Sequence, residues 1–280
     1  MRWYHLLYIE SKAMFTFLWV ILIVAHHALL VTPVSSQDKN IFLLAGQSNM
    51  AGNGGVINGA WNGIVPPESG PNPSVLRLAA NLTWVPAAEP LHKDIGGVNA
   101  AIGVGPGMSF ANSVLARDPS LGVVGLVPCA NGGTKISQWG QGSFLYDQLV
   151  SRARAAVGGG GGKIQAMLWY QGESDAVLLE DAELYKGRLQ KFFQDLRLDL
   201  QSPSLLIIQV ALASESAGPY TEKVREAQLG LGLANVKCVD AKGLQLQPDN
   251  LHLSTPSEVQ LGKMLAGSFL QNRPNPLTNN

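Results

Sequence analysis

Ile41-Phe42-Leu43-Leu44-Ala45-Gly46-Gln47-Ser48-Asn49-Met50-Ala51-Gly52 is the stretch that decides the fold. Five apolar residues without alternation read as a strand buried on both faces, the habit of parallel sheets covered by helices. Glycine on either side of Ser48 lets the backbone turn sharply and approach a ligand closely. A serine just past the carboxyl end of a parallel strand lies where open α/β sheets bind their ligands. This is not the Gly-x-Ser-x-Gly elbow of the α/β-hydrolases. A polar turn capped by Ser48 is the reading without chemistry.

Comparable apolar runs recur at 123–128, 164–170, 205–211 and 236–239, which with 41–45 makes five strands. Between them lie amphipathic stretches. Leu145, Leu149, Ala153 and Val157 repeat at four-residue spacing, and Tyr185, Leu189, Phe192, Leu196 and Leu200 form a second stripe. A last helix opens at Thr255-Pro256-Ser257-Glu258, read as a capping box with proline at the first helical position. Strands alternating with helices predict an α/β layered fold. The long Pro-, Asn- and Gly-rich stretch 53–103 follows the first strand directly and reads as a wall of the substrate cleft.

The chain of 280 residues is 46% apolar and 14% charged, enough for one domain with a large core. Lys plus Arg equals Asp plus Glu at 20 each. No basic excess or stripe supports a nucleic-acid partner. Residues 1–36 read as a signal peptide: Arg2 and Lys12 precede the apolar run 14–25, and small residues at Val34-Ser35-Ser36 offer a cleavage site. The run is short for a spanning helix. An uncleaved anchor is the alternative if 28–34 extends it. The expected organisation is therefore a leader at 1–36, one folded domain at 37–271 and a flexible tail at 272–280, with export to the extracellular space. Cys129 and Cys238 sit in or beside strand-like runs and read as free buried thiols rather than a disulfide. The sequon Asn81-Leu82-Thr83 fits an exported chain and carries little weight alone.

Two glycine-rich runs invite phosphate readings and fail them. Gly158 to Gly162 lacks the following Gly-Lys-Ser/Thr, and no apolar strand runs directly into Gly103-Val104-Gly105-Pro106-Gly107.

Histidine restricts the chemistry. His5, His26 and His27 belong to the leader, so His92 and His252 are the bases available to a mature site. No HExxH or Cys/His cluster suggests a metal, and no metal or organic cofactor is expected. In Asp249-Asn250-Leu251-His252, an acid three residues before a histidine can fold back onto Nδ1–H, fixing the tautomer of a base whose Nε2 activates a nucleophile. Alone, such a pair is more often ordinary surface loop. Two further strand ends lead into Asn131-Gly132-Gly133-Thr134 and Gln171-Gly172-Glu173-Ser174-Asp175. Gly132 N–H and the Gln171 amide can point at one oxyanion, while turn chemistry is their plain alternative.

Together GQSNMAG, NGGT, WYQGESD and DNLH, in this order, resemble the carbohydrate esterase branch of the SGNH hydrolases, related to the sialate O-acetylesterases, and in particular its plant members. The resemblance runs over about residues 40–269 and takes in EPLH at 89–92, GVGPGMSFA at 103–111 and VREAQ at 224–228. It implies a flavodoxin-like three-layer α/β/α sandwich with a five-stranded parallel sheet. It also implies a serine esterase acting on an O-acetylated polysaccharide or small glycoside. Ser48 matches the nucleophile and Asp249 and His252 the acid and base. The N–H groups of Ser48 and Gly132 match two oxyanion donors, and Gln171 matches the third. The pattern departs at Ile95-Gly96, where the resemblance leads one to expect an Asp after the isoleucine. Lipase- or thioesterase-like activity on other acyl esters, and an inactive carbohydrate-binding protein, are the competing readings. No stable membrane partner is expected, and the oligomeric state is not legible. His92 is read as held within its loop. Trp61, Trp84 and Trp139 are read as loop or core anchors sooner than sugar platforms, and Glu173 and Asp175 as positioning Gln171 or its loop.

Overall fold

A computed structural model describes residues 38–95, 101–158, 161–213 and 217–273. The expected leader 1–36, Gly96 and residues 274–280 of the expected tail lie outside them, and Asn272 of that tail is still helical. In chain order the strands are β1 (Lys39–Gly46), β2 (Val56–Ile57), β3 (Ala60–Trp61), β4 (Val75–Leu78), β5 (Trp84–Pro86), β6 (Val123–Pro128), β7 (Gly162–Tyr170), β8 (Leu206–Ala211) and β9 (Val236–Asp240). The helices are α1 (Ser48–Ala51), α2 (Pro106–Arg117), α3 (Phe144–Val157), α4 (Leu179–Asp199), α5 (Thr221–Leu229) and α6 (Thr255–Asn272).

All five expected strands form, in the spatial order β6-β1-β7-β8-β9, every pair parallel. Counted by the order of the five strands in the chain this is 2-1-3-4-5, the flavodoxin-like arrangement, whose switch point lies between β1 and β7. The sheet is wider than expected. Parallel β4 and antiparallel β5 extend it beyond β6 to seven strands. Both come from the stretch read as cleft wall, which also holds the β2–β3 hairpin. Short edge strands of four and three residues carry too few apolar positions to show a period.

Helices cover both faces. Phe42 on β1 meets Phe110 of α2 and Phe269 of α6 edge-on at 4.9 and 4.8 Å. Trp169 of β7 faces the opposite way and packs on Trp139, Phe192 and Phe193 beneath α3 and α4. Each such ring, buried fully, contributes about 1.5–3 kcal/mol. α2 and α6 touch almost backbone to backbone: a Cβ at Gly262 would lie 2.5 Å from the Pro106 carbonyl oxygen and collide with Ser109 Oγ.

The expected stripes hold with two adjustments. Leu145, Leu149 and Ala153 are buried, while Val157 at the end of α3 is 40% exposed. The N-cap of α6 is Ser254, one residue before the expected capping box, and its hydroxyl accepts from Ser257 N. Glu258 therefore turns inward, fully buried, instead of reaching back to the cap. Cys129 and Cys238 are free thiols. Among the described residues no helix is long and apolar enough to cross a membrane.

Candidate active site

β1 ends at Gly46, whose φ of 130° suits glycine, and whose added Cβ would strike the Tyr170 carbonyl. The chain can thus cross close over β7, where Gln47 N donates to Tyr170 O at 2.8 Å. Ser48 opens the single turn of α1 at the switch point. Its neighbour across the cleft is Gly132: a Cβ there would stand 3.7 Å from Ser48 Cβ. Among the described residues, the backbone N–H groups of Ser48 and Gly132 have no hydrogen-bond acceptor within the protein. Two neighbouring backbone donors are thus left without a partner.

The candidate base, His252, comes from the far end of the sequence. Asp249 Oδ1 accepts from the amides of Leu251 and His252, both at 2.9 Å, closing a tight turn. Asn250 takes φ 56° within it, a left-handed conformation that asparagine tolerates. The other oxygen, Oδ2, lies 2.6 Å from His252 Nδ1. His252 Nε2 lies 2.9 Å from Ser48 Oγ. Partial burial works to raise the Asp249 carboxyl, but the two amides and the imidazole outweigh it and hold it below the ordinary value. Ser48, His252 and Asp249 are therefore in hydrogen-bonding sequence.

Gln171 does not join them as expected. Its Nε2 donates to Thr134 O at 2.7 Å and Asp175 Oδ2 at 2.6 Å, and also lies 3.2 Å from Gln47 Oε1. A carboxamide has two such hydrogens. Both are consumed by buried acceptors, and the side-chain oxygen is left buried without a partner. In this arrangement Gln171 ties the β6 and β7 loops together. Asp175, which also accepts from Ile136 N at 3.0 Å, holds it there. Burial pushes the Asp175 carboxyl up to about 6, against the pull of Gln171 and Ile136.

The residue that sequence reasoning missed is Gln47. Its Oε1 faces Gln171 Nε2 and Gly172 N at 3.2 and 3.3 Å, which turns its NH₂ the other way. That NH₂ has no acceptor among the described residues and is not sealed from solvent. The signal was present in the glutamine beside the serine.

The remaining candidates are structural. His92 is 1% exposed, and burial drives its pKa down to about 3, so it stays neutral and out of a substrate's reach. Trp139 is fully buried, Trp84 lies over Gly125 on the sheet, and Trp61 lies over Gly103. Among the described residues no group of three or more His, Cys, Asp or Glu could hold a metal ion.

The family model for carbohydrate esterases, sialic acid-specific acetylesterases, matches residues 38–271. The chain belongs to this carbohydrate esterase family. The esterase is 54% identical to a probable carbohydrate esterase of Arabidopsis thaliana over 241 residues, which is 84% of this chain and 91% of the relative. The solved structure of an Arabidopsis thaliana protein superposes with a TM-score of 0.81 at 53% identity, covering 84% of this chain and 99% of that one. A carbohydrate acetylesterase of Xanthomonas citri shares the fold at a TM-score of 0.55 and 18% identity, over 81% of this chain and 55% of its own. The esterase thus carries its family's α/β fold, with a mostly parallel sheet, and the family's role is that of a hydrolase.

Beneath the site the esterase buries carboxyls that have few partners. Glu173 Oε1 accepts from Asn49 Nδ2, and its Oε2 is unpaired. Glu258 has neither oxygen paired, and burial, then the nearby Glu89, raises it well above the ordinary value. Burial likewise takes Glu89 up to about 8. Burial thus favours the neutral acid at both.

Proposed function

We propose that this esterase removes O-acetyl groups from carbohydrate through Ser48, His252 and Asp249 by way of an acetyl-enzyme. The observation that carries the reading is the unbroken sequence Ser48 Oγ–His252 Nε2 at 2.9 Å and His252 Nδ1–Asp249 Oδ2 at 2.6 Å. Ser48 Oγ attacks the ester carbonyl as its proton passes to Nε2. Asp249 holds the tautomer and stabilises the imidazolium. The tetrahedral oxyanion sits against the N–H groups of Ser48 and Gly132, with the Gln47 NH₂ as third donor in place of Gln171. Collapse breaks the bond to the sugar oxygen, which takes the proton from His252. Water, activated by the same base, then releases acetate from Ser48.

The substrate class rests on the family and on an acetyl donor needing only the small corner between Ser48 and Gly132. The apolar run 14–25 supports an exported enzyme acting on extracellular O-acetylated polysaccharide or glycoside. Purified mature protein should release acetate from acetylated polysaccharides and hydrolyse p-nitrophenyl acetate. Ser48→Ala should lower that turnover by about 10⁴-fold or more. A Ser48→Ala protein working at the parent rate would overturn the nucleophile. Faster turnover of p-nitrophenyl octanoate than of acetate would transfer the enzyme to longer acyl esters.

A further inference from the structure

His252 is carried by a short exposed turn, yet its ring must stay within hydrogen-bonding reach of a serine 204 residues away. What fixes that distance is Asn49, the residue after Ser48. It is fully buried, and its side chain bridges three segments. Oδ1 accepts from Leu253 N at 2.9 Å, on one side of His252, and Nδ2 donates to Leu251 O at 3.4 Å, on the other. The second Nδ2 hydrogen goes to Glu173 Oε1 at 2.8 Å. Glu173, at the end of β7, thereby dictates which way the carboxamide faces. With its oxygen and nitrogen exchanged, Asn49 would oppose acceptor to acceptor at Glu173 and donor to donor at Leu253 N.

We infer that Asn49, oriented by Glu173, is a positioning residue that sets the Ser48–His252 distance by gripping the backbone on both sides of the histidine. Resting on the triad reading above, the inference adds a second pair of residues to it. Both are buried, at 0% and 3% exposure. A second tether, Gln247 Nε2 to Asn53 O at 2.6 Å and Leu253 O at 3.1 Å, holds the same turn from outside. Removing Asn49 therefore shifts the turn instead of releasing it.

Misplacement of reacting groups by about 1 Å costs about 10²-fold in rate. Asn49→Ala should accordingly lower kcat for p-nitrophenyl acetate about 100-fold with KM within about twofold, the pattern of a defect confined to the transition state. The loss should persist far below the thermal midpoint, where a merely destabilised protein recovers. Glu173→Leu should lose activity by more than Glu173→Gln, whose carbonyl still accepts from Asn49. The Glu173 pair decides the matter if Asn49→Ala does not fold. Unchanged kcat in Asn49→Ala, or equal activity in Glu173→Leu and Glu173→Gln, would overturn the inference. Ser48→Ala is measured alongside: if it stays active the triad reading falls, whereas if it is silent and Asn49→Ala is normal only the positioning role falls.

Discussion

Gln47 and Gln171 occupy matching places and do different jobs. Each follows the last residue of a central strand, and Gly46 and Tyr170 are register partners in the sheet. Each is buried, at 2% and 0% exposure. Yet Gln171 spends its NH₂ on Thr134 and Asp175, while Gln47 keeps its NH₂ unclaimed beside the nucleophile. The difference is made by neighbours. A carboxylate four residues on captures the Gln171 amide, and the Gly172 N–H beside it donates to the Gln47 oxygen at 3.3 Å and so sets which way that side chain faces. One glutamine thereby has its amide tied to the protein, while the other's amide has no acceptor among the described residues.

The contrast predicts a separation of effects. The largest belongs to Gln47→Ala, which should cost about 10²–10³ in kcat for p-nitrophenyl acetate, the usual loss for one oxyanion donor, with a small change in thermal midpoint. If kcat holds, Gln47 is no donor and the two residues are alike. Gln171→Leu should show the reverse emphasis. It strands the buried Thr134 carbonyl and Asp175, at about 1–3 kcal/mol for each group left unpaired. Its thermal midpoint should fall by several degrees, and its kcat by less than that of Gln47→Ala. A third test asks what becomes of a buried carboxyl that, unlike Asp175, has no amide. Glu258 has a folded pKa well above its ordinary 4.5. A group raised in this way contributes stability fully present below about 4.5 and lost as pH rises, because the native state must keep a proton that the unfolded chain gives up. Glu258→Gln should therefore gain thermal midpoint over the parent, and the gain should widen from pH 5 to pH 8. A flat difference would mean that Glu258 ionises freely.

The smallest effect concerns Asp94, whose Oδ2 receives Arg77 Nη2 at 2.9 Å. The hydrogen bond from Arg77 holds its carboxyl down at about 2, from an ordinary 3.8. That depressed pKa gives stability above about 3.8 that disappears as pH falls toward 2. Asp94→Asn should thus narrow its stability deficit between pH 5 and pH 2.5.

The same pair of glutamines marks how far the sequence was legible. The five central strands were, because burial on both faces leaves uninterrupted apolar runs. α3, α4 and α6 showed their stripes. α2 and α5 did not. α2 buries Gly107, Ser109 and Ala111 among Met108, Phe110 and Val114, so small and polar residues interrupt its apolar stripe, and the nine-residue α5 buries Thr221, Arg225 and Gln228 beside Val224 and Ala227. Ser48 and the Asp249–His252 turn could be read because each depends on local geometry: a strand end, and an acid three residues before a histidine. Which glutamine keeps a free amide depends on Thr134, Asp175 and Gly172 meeting in space, and no spacing encodes that contest.

The base arrives on the turn that leads into α6, the last helix of the fold, and the nucleophile's own neighbour takes hold of it there. On the proposed triad, hydrolysis would wait on the docking of the final helix, and a chain cut ahead of residue 249 would keep every described strand of the sheet and lack the proposed base.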